Sequence, residues 1–78
     1  MNREDIDWQK LSELIKGKVA IKKAKGEDLT VCLGEMKVSY NTYQEIKNLK
    51  KKSINTVVLF RITNWLNIEA KEIIKKVK

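Results

Sequence analysis

Apolar residues return at helical spacing along most of this chain. Trp8, Leu11, Leu14 and Ile15 recur every three or four residues, and after Gly17 the run resumes at Val19, Ala20, Ile21 and Ala24. The pattern predicts either one helix from about Asp7 to Ala24, weakened at Gly17, or two helices bent there. Glycine inside a helix costs roughly 1 kcal/mol relative to alanine. Gly26 can take a positive φ after the last turn and is the expected terminator. Residues 1–7 are mostly polar and are expected to fray.

A second helix is expected from Asp28, whose carboxylate can accept from the orphan amides of a first turn. Leu29, Cys32, Leu33 and Met36 then share one face at i, i+3, i+4 and i+7. Lys37 and Val38 form a turn, and Ser39 caps a third segment, Tyr40 to Ile46. Tyr43 and Ile46 point inward there, while Tyr40, Asn41, Gln44, Glu45, Lys47 and Asn48 point out. Leu49 is expected to pack under the basic loop Lys50-Lys51-Lys52-Ser53. From about Asn55 to Leu66 the chain holds Val57, Val58, Leu59, Phe60, Ile62, Trp65 and Leu66, more apolar surface than one helix face requires. A central core helix accounts for most of it and a dimer seam for the remainder. A closing helix is expected over Glu69 to Val77, amphipathic through Ile73, Ile74 and Val77. Lys75, Lys76 and Lys78 would lie at the negative end of its dipole.

Composition agrees with an all-α fold. Proline is absent and glycine occurs three times, so β-turns have little support. The 78 residues suffice for one small domain, spanning 1–78, built as a compact bundle of four to five short helices. The net charge of +7 is unevenly spread. Residues 1–15 carry −2, while residues 16–61 hold eleven basic and four acidic side chains. A positive field over the middle of the chain suits a polyanion, either nucleic acid or an acidic protein surface. A lysine-rich surface kept for solubility is the other reading. Cys32 is the single cysteine and histidine is absent. An intrachain disulfide is therefore excluded, a zinc site is not expected, and a reducing cytoplasm is the expected setting. The longest apolar run, Val57 to Phe60, is four residues, so no membrane span or signal peptide is expected. The chain has no Gly-rich phosphate loop and no convergent acid/base set, so neither an enzyme nor a cofactor is expected.

The segment from Asp28 to Ile68 has the spacing of a helix-turn-helix, which would present the start of one short helix outward. At Val38-Ser39-Tyr40-Asn41-Thr42-Tyr43-Gln44-Glu45-Ile46 the chain resembles the Cro/C1-type (XRE) helix-turn-helix family. That family shows a turn valine, a Ser/Thr cap, two outward polar residues, a Ser/Thr, a buried apolar residue, two polar residues and a buried Ile/Leu. Leu29, Cys32, Leu33 and Met36 match the family's supporting helix. Leu59 to Ile68 is similar to its helix LxxIAxxLxV, and Glu69 to Ile74 resembles its short closing helix. The resemblance covers roughly residues 19–75 and implies a lambda repressor-like bundle. Three positions depart from the pattern: Leu33 replaces a small residue, Lys37 a frequent turn glycine, and Leu49 a loop glycine. The loop after the third helix is about one residue longer than usual.

The resemblance implies that Tyr40, Asn41 and Gln44 read bases. Asn and Gln amides pair bidentately with adenine N6 and N7, and Tyr40 would meet a thymine methyl or a phosphate. Ser39, Thr42, Lys47, Asn48, Lys50, Lys51 and Lys52 would hold the phosphate backbone, with Lys22, Lys23 and Lys25 on the other flank. Glu45 brings negative charge toward DNA: it accepts from a cytosine amine, pairs with a lysine, or speaks for a protein-binding role instead. Cys32 is expected as a small buried hydrophobe, and Trp8 and Trp65 as core or interface anchors. The implied function is a small sequence-specific repressor, of the size of phage Cro proteins. It would bind double-stranded DNA as a homodimer on two half-sites. The alternative is a protein-binding module, such as an antirepressor or phage-encoded inhibitor that engages another regulator protein.

Overall fold

The computed structural model describes residues 5–51 and 53–74. The first helix, α1, runs without interruption from Trp8 to Ala24. Gly17 lies on its exposed side, with nothing within 4 Å of the position a Cβ would take, so the helix pays only glycine's entropic cost. Asp7 caps the start, its carboxylate accepting from the Lys10 amide at 3.1 Å. Gly26 takes φ +89° just past the end, as the sequence predicts. The inward stripe of α1 is Trp8, Leu11, Ser12, Ile15 and Val19.

Three shorter helices pack around α1: α2 (Leu29–Met36), α3 (Tyr40–Lys47) and α4 (Thr56–Leu66). Each begins at a side-chain cap. Asp28 accepts from Val31, Ser39 from Thr42, and Asn55 from Val57; such caps contribute about 1 kcal/mol each. One core collects Leu11, Ile15 and Val19 from α1, Cys32 and Met36 from α2, Tyr43 and Ile46 from α3, and Leu59 and Ile62 from α4. Burying each large apolar side chain is worth roughly 1.5–3 kcal/mol. Trp8 is in this core, and Trp65 packs against its edge. Burial pushes the Cys32 thiol and the Tyr43 phenol above their ordinary values, so both stay neutral. None of the described helices is long and apolar enough to cross a membrane.

The structure departs from the sequence-based expectation in three places. Residues 5–7 do not fray. Ile6 is wholly buried and forms an antiparallel bridge with Ile74, and the Asp7 amide donates to the Ile73 carbonyl at 2.7 Å. Residues 1–4 lie outside the described residues. The closing element is a single 3-10 turn, Ala70–Glu72, held by a reciprocal Glu69–Glu72 cap. Its apolar residues go into pairing the two ends of the chain: Ile73 is buried and Ile74 meets Ile6. Val77 and the cations Lys75, Lys76 and Lys78 lie outside the described residues. Leu49 does not pack under the loop; it is 41% exposed with φ +61°, and Ile54 is buried instead.

Candidate nucleic-acid interface

Helices α2 and α3 are joined by the three residues Lys37, Val38 and Ser39. Lys37 adopts the left-handed conformation (φ 58°, ψ 46°), and its amide returns to the Leu33 carbonyl. The next amide, of Val38, reaches the same carbonyl at 3.2 Å. A side chain at positive φ is strained relative to glycine, and burial of Val38 holds the turn against that strain. Arg61 of α4 points its guanidinium at the Lys37 carbonyl, 3.5 Å away. The chain then extends through Ser39, whose hydroxyl accepts from the Thr42 amide and donates to the Thr42 hydroxyl at 3.0 Å. The arrangement is a helix-turn-helix with α3 as the second helix.

Helix α3 is anchored along its inner side. Tyr43 and Ile46 enter the core. At its C-terminal end, buried Ser12 of α1 donates to the Lys47 carbonyl at 3.0 Å, which satisfies one of the orphan acceptors that every helix leaves there. The outer side carries Tyr40, Asn41, Gln44, Glu45 and Asn48. Tyr40 and Asn41 are exposed in the first turn, and Gln44 is half-buried one turn later. Gln44 Nε2 donates to the Tyr40 hydroxyl at 2.6 Å, and Asn48 Nδ2 donates to Gln44 Oε1 at 3.4 Å.

The loop after α3 folds back on Glu45. The Lys50 and Lys51 amides both donate to its carbonyl, at 2.8 and 3.2 Å, and the Lys51 ammonium pairs with its carboxylate at 3.2 Å. Glu45, Lys50, Lys51 and Ser53 line a shallow open concavity of about 350 Å³. Glu45 thus has the lysine partner its position requires. Lys52 lies outside the described residues.

Most of the residues singled out by sequence converge here: Ser39, Tyr40, Asn41, Thr42, Gln44, Lys47, Asn48, Lys50 and Lys51 all lie on α3 or its flanking turns. The flank expected from Lys22, Lys23 and Lys25 is split. Lys23 and Lys25 are exposed at the end of α1, but Lys22 turns onto Glu27 (3.2 Å) and Glu35 (2.9 Å). Those partners, Glu35 first, raise its pKa. Lys47 is half-buried, with its ammonium 5.9 Å from the Tyr43 ring centroid.

A second polar group, not foreseen from sequence, braces α1, α2 and α4. The Trp65 indole donates to Glu35 at 2.9 Å, Lys22 pairs with the same carboxylate, and the Lys18 ammonium bonds the Trp65 carbonyl and lies 4.6 Å from its ring. The indole, followed by Lys22, holds the Glu35 carboxyl below its ordinary value. The sequence showed these residues only as scattered charges, because their partners are 13 and 30 positions apart. Arg61 and Lys37 add exposed basic side chains beside the turn, and neither carried a motif.

No protein-family model, curated protein or solved structure matches this chain. The functional reading therefore rests on the residues and geometry of the helix-turn-helix itself.

Proposed function

We propose that the protein is a small sequence-specific DNA-binding regulator of the Cro type. It would present the first turns of α3 to the major groove and act as a repressor by occupying its operator. The observation that carries this reading is the outer side of α3. The amide side chains of exposed Asn41 and half-buried Gln44 lie on a helix capped at its start by Ser39 and followed by the basic residues Lys50 and Lys51. Asn41 and Gln44 are the base readers, with adenine as the matching base. Ser39, Thr42, Lys47 and the loop lysines face the phosphates, joined by Lys37 and Arg61 beside the turn. The net charge of +7 adds a sequence-independent attraction that weakens with salt. Two half-sites need a second copy, and Val57 and Phe60 on the outer side of α4, 56% and 49% exposed, offer apolar surface for it. A reducing cytoplasm suits the buried free thiol of Cys32.

Selection of bound duplexes from a random pool, at near-physiological salt, tests this directly. The expected product is a palindromic motif. Asn41→Ala should cost roughly 1–3 kcal/mol on that motif and relax one position in each half-site. Equal losses on every sequence would remove Asn41 from base reading.

A second reading, a protein-binding module such as an antirepressor, draws on a different feature. Leu14, Gly17 and Ile21 of α1 and Leu66 of α4, flanked by Glu13 and Lys18, line a largely apolar groove of about 430 Å³. That reading takes over if no duplex is enriched.

A further inference from the structure

Resting on the DNA-reading function proposed above, we propose that Tyr40 and Asn48 are positioning residues that set the amide of Gln44 before DNA arrives, and that Gln44 alone of the three reads a base. Residues 40, 44 and 48 are spaced by four and share one side of α3, so their side chains are neighbours. They form a continuous ladder: Asn48 Nδ2 donates to Gln44 Oε1, and Gln44 Nε2 donates to the Tyr40 hydroxyl. The Tyr40 ring is itself placed. Its centroid lies 6.4 Å from that of buried Tyr43, tilted by 40°, and its hydroxyl meets Gln44 one turn further along the helix.

The donor and acceptor count makes the ladder informative. A glutamine amide has two N–H donors and two lone pairs on its oxygen. The ladder uses one of each. One N–H and one lone pair remain, and adenine requires that combination, N7 accepting and N6 donating. Binding then need not break the ladder. An unsupported glutamine on a helix surface would have to be ordered at the moment of binding, which costs affinity and blurs discrimination. Here that ordering is done in the free protein by two neighbours. The hydroxyl of Tyr40 accepts from Gln44, and Asn48 commits one of its two amide protons to the same partner.

The test is a double-mutant cycle on duplexes carrying every single substitution of the selected motif, with wild type, Tyr40→Phe, Gln44→Ala and the double variant. Removing one exposed hydroxyl leaves the fold intact. Tyr40→Phe should lower discrimination about fivefold at the one base pair that Gln44→Ala abolishes. Added to Gln44→Ala it should change nothing further. Losses at a different base pair, or losses that multiply in the double variant, would give Tyr40 its own DNA contact and overturn the proposal.

A parallel measurement needs no DNA. The side-chain amide resonances of Gln44 in the free protein should move when Tyr40 becomes phenylalanine and when Asn48 becomes alanine, and unmoved resonances would also overturn the ladder. If wild type selects no sequence while the Gln44 resonances do respond, the DNA reading itself has failed and Gln44 loses its role as reader. The two failures are thereby told apart.

Discussion

Among the described residues, three non-glycine residues hold left-handed backbone: Lys37, Leu49 and Asn67. Asparagine tolerates this region, whereas lysine and leucine are strained there by about 1–2 kcal/mol each. At Lys37 neighbouring packing, through buried Val38 and the bonds to the Leu33 carbonyl, enforces the left-handed turn. Lys37→Gly should therefore stabilise the protein by about 0.5–1 kcal/mol, after allowance for glycine's greater freedom when unfolded. Asn67→Gly should change little. Denaturant midpoints of the two variants beside wild type check this, and a destabilised Lys37→Gly would show that the lysine side chain holds the turn through contacts of its own.

At the scale of elements, the placement of α3 depends on groups far from it in sequence. Ser12 of α1 closes its C-terminal end, and the Trp65–Glu35–Lys22 group fixes α2, from which the turn departs. The same logic applies at the ends of the chain, where Ile6 and Ile74 pair and Asp7 meets Ile73. Because Ile6 is wholly enclosed, Ile6→Ala should cost about 2–5 kcal/mol, the range for emptying a buried aliphatic site. A frayed terminus would lose nothing. Urea unfolding of the variant distinguishes the two, since a midpoint equal to that of wild type would mean that the Ile6–Ile74 pairing does not persist in solution.

At the scale of the whole molecule, charge shapes the pH response. The carboxyl of Glu35 titrates below its ordinary range, because the Trp65 indole and Lys22 favour its ionised form. A lowered folded pKa contributes stability that is present above the unfolded value and is lost as pH falls through the folded one. Lys22, with its raised pKa, loses its contribution only above the ordinary lysine range. Glu35→Gln should therefore melt below wild type at neutral pH, and the gap should narrow as pH falls through the ordinary glutamate range and below it. A gap constant across that window would mean that the carboxylate's charge adds nothing to the brace.

The all-helical fold, the places of α1 to α4 and the inward residues of α2 and α3 were legible in the sequence, because apolar residues recur at helical spacing behind an Asp, Ser or Asn cap; whether α1 breaks at Gly17, and which apolar residues of α4 face inward, were not. The outward residues of α3 were legible for the same reason: periodicity that assigns Tyr43 and Ile46 to the core leaves Tyr40, Asn41 and Gln44 outside. Periodicity has no hold on short or isolated segments. Ile6 stands alone among polar neighbours, and Ile73 and Ile74 are adjacent, so nothing local says that the two ends meet. Side-chain pairing was equally hidden. That Lys22 pairs with Glu35 and that Ser12 holds Lys47 depend on which helix faces the next and on rotamers chosen by packing. Those are properties of the assembled fold, and no single stretch of the chain carries them.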